Sequence, residues 1–248
     1  MRGEPRFFSD WDRTLMLHYE VEPAALQPFV PFELDVRERK AYVSMVAFTM
    51  RDLRPRNGGP LAKLLFKPVA THEYLNVRTY VRHASGEPGI YFLAEWLPNK
   101  LSLLTGRPLF GLPYRLGKLR YQHDHENGML RGEVQAWRGT GSLRYHATLP
   151  DNASFKSAPA GTLTEFLMER YTAFTHWLGW RRCFRVWHEP WSQCDVDVVI
   201  EGNSLLHLTG SWARRSRYTG AHYSPGARGV WMTSPANASA SAQSLAAA

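Results

Sequence analysis

The chain has 248 residues, a formal net charge of +8 and a hydrophobic content of 44%. This apolar content is ample for a packed core, but no run of about 18 apolar residues is present, so the sequence predicts no transmembrane helix. The N-terminal stretch MRGEPRFFSDWDR has no apolar segment after its positive charges, and we expect a cytoplasmic protein without a signal peptide.

The positive charge raises nucleic-acid binding as a hypothesis, but the arrangement of the charges argues against it. The 30 basic residues are scattered, and only RRCFR and RRSR are tight clusters. Nucleic-acid-binding proteins usually concentrate their charge on one element. Lysines are scarce, and amine chemistry is restricted to Lys40, Lys63, Lys67, Lys100, Lys118 and Lys156. We expect no nucleic-acid partner and no membrane partner.

The first half of the chain reads mainly as strands. RTLMLHYEV is typical of a strand, and EPAALQPFVP follows it as a short helix with a proline in its first turn. FELDV and AYVSMVAFTM, joined by the charged turn RERK, predict a hairpin. LAKLLFKPV has the pattern of a short amphipathic helix or a lid, and HEYLNVRTYVRH and GIYFLAEWL are strand-like.

The second half adds further strands and the clearest helix signal. LGKLRYQ and MLRGEVQAW form a predicted hairpin around HDHENG. Thr162 and Glu165 have the spacing of a capping box, and apolar residues recur at helical intervals as far as Leu178, which predicts one long helix. The stretches CFRVWHEPW and CDVDVVI are strand-like. We expect one α+β domain over residues 1–233, mainly antiparallel sheet, and a disordered Ala/Ser-rich tail over residues 234–248.

The strand HEYLNVRTY is unusually polar and is a candidate pocket wall. Strict alternation places Asn76, Arg78 and Tyr80 on one face and Glu73 on the other. Arginine pairs with carboxylates through two parallel hydrogen bonds, so Arg78 is a candidate for binding an anionic ligand. A solvent-facing polar row is the alternative interpretation.

Two further groups of residues are candidates with a structural alternative. His188 and Trp191, in VWHEPW, combine a titratable ring with an aromatic wall, although a structural histidine explains the same pattern. HDHEN has the composition of a metal site, but its position in a predicted turn accounts for its polarity, and we predict no metal and no cofactor. Cys183 and Cys194 are too few for a disulfide framework, and we expect reduced thiols.

Several segments together resemble a known family. HYEVEPAALQPFVPFELDV, NVRTYV, GIYFLAEW, LPYRL, EFLMERYTAF, HEPW and HYSPG occur in the order found in the YqjF-like proteins, a bacterial family of unknown function. That family resembles a branch of the acetoacetate decarboxylase-like superfamily. The resemblance implies a largely antiparallel β-barrel or cone with peripheral helices, enclosing a small-molecule cavity.

The loop GRPLFGLPYRLGKL carries the main difference from the decarboxylases. They have Gly-Arg-Glu followed by Gly-Phe-Pro-Lys-Lys, and one lysine forms a Schiff base with the keto acid. Here Gly106 and Arg107 match, Pro108 replaces the glutamate, and Tyr114 and Arg115 replace the lysines. A guanidinium stays protonated and a phenol has no amine, so neither residue can form an imine. Lys118 is a distant substitute that we consider only as an alternative.

We therefore expect a cavity that binds a small anionic organic acid or carbonyl compound, with proton-transfer or lyase chemistry that does not use a Schiff base. The candidate catalytic residues are Glu73, Tyr114 and Arg115. The candidate ligand-binding residues are Asn76, Arg78, Tyr80, Arg107, His188 and Trp191. A non-catalytic binding module is the alternative, and the sequence leaves open whether the protein is a homo-oligomer.

Overall fold

The computed structural model describes residues 3–238. The strands are β1 (Phe7–Val21), β2 (Glu33–Leu34), β3 (Ala41–Pro55), β4 (His72–Arg82), β5 (Pro88–Leu97), β6 (Tyr114–Asp124), β7 (Met129–Ala136), β8 (Ser142–Thr148), β9 (Thr172–Trp177), β10 (Trp180–Trp187), β11 (Cys194–Asp195), β12 (Val198–Asn203), β13 (Arg217–Met232) and β14 (Ala236–Asn237). The α-helices are α1 (Pro23–Leu26), α2 (Gly59–Phe66), α3 (Lys100–Phe110), α4 (Leu163–Met168) and α5 (Ser204–His207). Short 3₁₀ helices cover Gln27–Phe29, Lys67–Val69, Trp137–Gly139 and Ser211–Arg215.

The strands form one sheet that closes on itself along part of its path. The order is β12-β8-β7-β6-β5-β9-β10-β13-β1-β3-β4-β2, and β4 also pairs with β5. The path from β5 through β9, β10, β13, β1, β3 and β4 therefore returns to β5 as a ring. The pairings are antiparallel except for β5 with β6 and β5 with β9, which are parallel. The predicted α+β fold class with a mainly antiparallel sheet is confirmed.

Side chains alternate between the two faces of the ring, and each face has its own hydrophobic cluster. In β1, Met16 belongs to one cluster, whereas Leu15 and Leu17 belong to the other. In β3, Val46 and Met45 divide in the same way. This period of two follows from the pleat of a strand. The cluster that contains Met16 and Val46 surrounds the cavity described below.

Several local predictions hold. Helices form at the predicted positions of α1 and α2, and Pro23 occupies the first turn of α1. β6 and β7 form the predicted hairpin. The predicted turn RERK closes with an antiparallel bridge between Arg37 and Lys40, but the hairpin does not extend beyond it. β2 pairs instead with β4, through Glu33 with Arg82 and Leu34 with Val81. Strand propensity is local, but the choice of partner depends on how the sheet closes.

The long helix predicted from Thr162 onward is also wrong. The capping interaction is present, since Thr162 Oγ1 accepts from the Glu165 amide at 3.2 Å, but the helix ends at Met168. The chain then enters β9, where Phe174 is buried between neighbouring strands. Pairing of β9 with both β5 and β10 replaces the helical hydrogen bonds. Tertiary contacts have overridden a local helical pattern.

Two other expectations need correction. The first part of GRPLFGLPYRLGKL is the last turns of α3 rather than a loop, and Gly111 ends this helix in a left-handed conformation with φ of 71°. The predicted tail starts too early, because Ala236–Asn237 form β14 against β10; residues 239–248 lie outside the described residues. Within residues 3–238, no helix is long and apolar enough to cross a membrane. Cys183 and Cys194 are free thiols.

Candidate functional site

The ring encloses a cavity of about 330 Å³, and each strand of the ring contributes to its wall. This volume is at the small end of the range of about 300–1,000 Å³ that is typical of ligand sites. Side chains of α2 and α3 line one part of the cavity, and His188 and Trp191 line another. Most of the wall is aromatic or aliphatic, so the few polar side chains in it define the chemistry of the site.

Arg78, on β4, is the buried cation of the cavity that has no carboxylate partner among the described residues. It is 6% exposed, and the described ion pairs do not include it. Its Nη2 contacts the Met16 sulfur at 3.5 Å and donates to the Leu167 carbonyl at 3.2 Å, while its Nε has no partner. Arg170 also lines the cavity but pairs with Asp35 at 3.0 Å. A buried charge is costly unless it is paired, so Arg78 is available for an anionic ligand.

Because α4 ends early, the carbonyl group of Leu167 is available to hold the Arg78 side chain. The last carbonyls of a helix have no intrahelical partner. Leu167 lies in the last turn of α4, and its carbonyl accepts from the Tyr80 hydroxyl at 2.8 Å as well as from Arg78. The negative end of a helix also favours a nearby cation. Had the helix continued as the sequence pattern predicted, this carbonyl would have been used inside the helix.

Glu95, on β5, is the buried carboxyl group of the cavity. It is 5% exposed, and its Oε2 has no hydrogen-bond partner. Loss of solvation on burial raises the pKa of Glu95 to about 8. Glu95 is paired with Asn76 across β4 and β5, and Asn76 lies two residues from Arg78 on the same face of β4. At neutral pH the carboxyl group is mainly protonated and does not neutralise the guanidinium.

Two tyrosines lie beside Glu95. The Tyr74 and Tyr114 rings lie 6.1 Å apart, and burial raises the pKa of both phenols above their ordinary range. Each neutral phenol has one proton that it can donate to a ligand. Tyr114 packs on Gly106 of α3, where a Cβ atom would lie only 2.2 Å from the ring. Glycine at this position allows the phenol to lie flat against the helix.

Unpartnered polar atoms are concentrated at this cavity. Buried polar groups in proteins nearly always have a hydrogen-bond partner. Within the described residues, several buried atoms without one belong to side chains that line the cavity: Trp11 Nε1, Thr14 Oγ1, Asn76 Oδ1, Arg78 Nε, Glu95 Oε2, Ser102 Oγ and Trp191 Nε1. Such a concentration of donors and acceptors is expected where a polar part of a ligand binds.

His188 and Trp191 both lie at the cavity, as part of an aromatic wall. The His188 ring is 4.7 Å from that of Trp191, and Trp11 stacks on Trp191 at 6.1 Å. His188 Nδ1 contacts the Glu189 carbonyl at 2.8 Å, and burial lowers the pKa of His188 to about 4. The ring is therefore neutral at physiological pH and acts as a hydrogen-bonding wall rather than as a cation.

A chain of buried hydrogen bonds supports the Leu167 carbonyl from behind. Tyr80 donates its only proton to this carbonyl, so Ser44 must donate to Tyr80, at 2.5 Å. His18 Nδ1 then donates to Ser44 at 2.7 Å, and His222 Nδ1 donates to His18 Nε2 at 2.9 Å. These directions place the proton of the neutral His18 ring on Nδ1. His222 Nε2 lies 3.0 Å from Asp195 Oδ1, so both nitrogens of this ring have polar neighbours. Burial, followed by the charges of His222 and Arg78, lowers the pKa of His18 well below its ordinary range.

Three predicted site residues lie outside the cavity wall. Glu73 is half-buried on the opposite face of β4, near Tyr121. Arg115 donates from Nη1 to the Leu208 carbonyl at 2.9 Å and lies over the Trp96 ring. Arg107 donates to the Tyr114 carbonyl, from Nη2 at 2.6 Å, and so holds the backbone of that tyrosine.

The remaining predicted residues lie at the cavity or next to it. Asn76, Arg78, Tyr114, His188 and Trp191 line it, and Tyr80 lies directly behind it. The sequence reasoning missed Glu95, Tyr74 and Trp11. A signal for Glu95 was present, because it is the single acid in the apolar strand GIYFLAEWL, and buried carboxyls are rare unless they have a role.

Lysine and metal chemistry have no visible site here. The residues that line the cavity do not include a lysine, and Lys118 is exposed on β6. Within residues 3–238, no group of three or more His, Cys, Asp or Glu side chains is placed to hold a metal ion.

The buried histidines predict that the folded protein loses stability at low pH. His72 provides a test of this prediction. Burial lowers the pKa of His72 from 6.5 to about 4, and neither ring nitrogen has a partner in the described part of the chain. The unfolded chain therefore binds one more proton between pH 6.5 and 4, and this group's contribution to stability is lost over that window as the pH falls. We expect the stability of His72→Phe relative to the parent to be about 2 kcal/mol greater at pH 5 than at pH 8.

Urea denaturation over this pH range measures the difference. His146→Phe is the control, since His146 is exposed and pairs with Glu201 at the surface. Parallel pH profiles for His72→Phe and the parent protein would contradict the expectation.

Comparisons with known proteins agree with this geometry. The model of the family DUF2071, described as an uncharacterized conserved protein, matches residues 9–228. The uncharacterized protein YqjF of Bacillus subtilis (strain 168) is 28% identical over 207 residues, which cover 81% of this chain and 80% of that protein. An acetoacetate decarboxylase-like enzyme from Sphingomonas wittichii RW1 superposes with a TM-score of 0.63 at 16% identity, covering 94% of this chain and 93% of that one. Acetoacetate decarboxylase from Legionella pneumophila superposes with a TM-score of 0.64 at 12% identity, covering 95% and 87%.

Proposed function

Because the chain belongs to the DUF2071 family and has the fold of acetoacetate decarboxylase-like enzymes, we propose that its cavity binds a small organic acid with a carbonyl group and transfers a proton on it without a Schiff base. The observation that carries the proposal is the buried, unpaired guanidinium of Arg78 in a wall with many unpartnered polar atoms.

Arg78 binds the carboxylate of the ligand. Its Nη2 is held by the Leu167 carbonyl, and its Nε is free. Arginine binds carboxylates through two parallel N–H groups, and such charge-assisted bonds are about twice as strong as neutral ones. Asn76 lies on the same face of β4, next to Arg78, and offers its amide to the same ligand. This arrangement anchors one end of the ligand and directs its next carbons toward Glu95.

Glu95 exchanges the proton. A pKa of about 8 is close to neutral pH, where a group can both give and accept a proton efficiently. In its ionised form, Glu95 takes a proton from the carbon next to the ligand carbonyl. The C–H electron pair moves to form an enolate, and the hydroxyl of Tyr74 or Tyr114 donates a hydrogen bond to the enolate oxygen. Return of the proton from Glu95 to carbon completes an exchange cycle.

Proton exchange on carbon tests this proposal. We expect the protein to catalyse deuterium uptake next to the carbonyl of 2-keto or 3-keto acids in D₂O, followed by NMR, and Glu95→Gln to lose this activity. Borohydride trapping of the same mixtures should leave all six lysines unmodified, because no lysine lines the cavity. A lysine adduct, or exchange that is unchanged in Glu95→Gln, would overturn the mechanism.

A binding module without catalysis is the second candidate function. It is favoured by the wall itself, in which Glu95 is the single carboxyl group and apolar side chains predominate. The same NMR experiment separates the two functions. A ligand whose affinity depends on Arg78 but whose carbon-bound protons do not exchange identifies a binding module.

A further inference from the structure

The mouth of the cavity is apolar and exposed. Leu65 of α2 and Leu101 and Leu109 of α3 line the cavity, yet they are 70%, 45% and 58% exposed. Single exposed leucines are ordinary, but a group around one opening is not. Leu61 and Leu64 of α2 and Leu104 of α3 are also exposed on the two helices.

The two helices form one continuous rim. The Phe7 ring lies 5.8 Å from Phe66 at the end of α2 and 5.8 Å from Phe110 at the end of α3. The Asn99 amide, at the start of α3, donates to the Pro68 carbonyl, after α2. We name the group of Leu65, Leu101 and Leu109 the leucine rim.

The polar groups are on the inner side of this rim. Tyr114 packs on Gly106 of α3, and the Glu95 amide donates to the Pro113 carbonyl, so Glu95 and Tyr114 lie next to the helix. Arg78 is farther along β4, where it contacts Met16 and Leu167 instead of α2 or α3. A ligand anchored at Arg78 therefore extends past Glu95 toward the leucine rim.

We propose that the ligand is an amphipathic monocarboxylic acid whose head group binds Arg78 and whose apolar chain fills the cavity and ends at the leucine rim. This inference rests on the proposed function for its head group. It adds the chemical class of the rest of the ligand. Leucines at the mouth stay wet in the empty protein and lose contact with water when an apolar chain covers them, which favours long chains over short ones.

A chain-length series tests the inference. The probes are straight-chain carboxylic acids from four to twelve carbons and their 3-keto derivatives, measured by calorimetric titration. Each added methylene should raise the affinity about fourfold, which corresponds to about 0.8 kcal/mol of buried CH₂, until the chain passes the rim. The corresponding primary alcohols should bind at least tenfold more weakly than the acids because they do not pair with Arg78.

Variants of the leucine rim separate the contribution of the ligand's apolar chain to affinity from that of its head group. Leu65→Ser and Leu101→Ser should lower the affinity for the ten-carbon acid about tenfold and leave that for the four-carbon acid unchanged. Val199→Ser is the matched control, because Val199 is an exposed apolar residue of β12 that does not line the cavity. These side chains are exposed, so the variants are expected to fold like the parent protein.

The possible outcomes distinguish the two proposals. If short acids bind through Arg78 but affinity does not rise with length, the amphipathic ligand is ruled out and the proposed function remains. If no acid binds, or if Arg78→Met leaves binding unchanged, the head-group site and the proposed function both fail.

Discussion

Replacing Arg78 by methionine is expected to lower the affinity for carboxylic acids by about 100-fold and to stabilise the ligand-free protein by about 1–3 kcal/mol. The two effects have the same origin. A guanidinium that is 6% exposed and lacks a carboxylate partner in the described residues has lost its hydration without full compensation. Methionine removes this penalty and, at the same time, the only group that pairs with the ligand's charge. Isothermal titration and urea denaturation measure the two effects.

Arg170→Met is the matched control for stability. Arg170 is also buried at the cavity, but it pairs with Asp35 at 3.0 Å. Removing it leaves a buried carboxylate with less compensation, so this variant should be destabilised, by about 1–3 kcal/mol. Arg78→Lys keeps the charge without the planar fork and should bind acids with intermediate affinity. If Arg78→Met is destabilised as much as Arg170→Met, Arg78 is a structural residue and not a ligand-binding one.

Glu95→Gln is expected to stabilise the protein by several kcal/mol at pH 9 and by almost nothing at pH 4. The pKa of Glu95 is raised from 4.5 to about 8, so the folded state binds one more proton than the unfolded state between these values. The stability contributed by this group is fully present below pH 4.5. It is lost at about 1.4 kcal/mol per pH unit as the pH rises from 4.5 to about 8, and the loss levels off above the folded pKa. The neutral amide has no charge to bury, and the variant should lack this dependence.

Denaturation profiles from pH 4 to pH 9 test this expectation. Glu73→Gln is the control, because Glu73 lies on the opposite face of the same sheet, away from the cavity wall. It should retain the parent's loss of stability at alkaline pH. A Glu95→Gln profile parallel to that of the parent would mean that the Glu95 carboxyl is ionised in the folded protein at neutral pH, and its role as proton donor would fall with it.

The expected stability changes of Arg78→Met and Glu95→Gln have the same sign, which characterises the site. In the parent protein, Arg78 and Glu95 each place a destabilising group in the cavity wall, the first a cation and the second a protonated acid. Replacing either residue is expected to raise stability and to remove function. Functional sites commonly carry such strain, because the groups that bind a ligand are not satisfied without it. A paired polar group such as Arg170, which lies 3.0 Å from Asp35, is expected to show the opposite sign, with loss of stability on replacement.

The sequence alone was sufficient for features that depend on local patterns. Alternation along HEYLNVRTY places Asn76, Arg78 and Tyr80 on one face of β4, which is a consequence of the strand pleat. The residues Tyr114 and Arg115 exclude an imine at those positions whatever the fold, because neither side chain carries a free amine. The mainly antiparallel fold class followed in the same way from short strands joined by turns.

Only the tertiary structure decided which groups face the cavity and how they are charged. Glu95 rather than Glu73 lines it, Arg115 points to the Leu208 carbonyl, and α4 ends early enough to leave the Leu167 carbonyl for Arg78. The physical reason is that these properties arise from pairings between distant parts of the chain. Closure of the sheet into a ring determines which face of each strand lines the cavity. Pairing of β9 with β5 and β10 ends the helical pattern. Burial then shifts the pKa of the titratable groups in the wall.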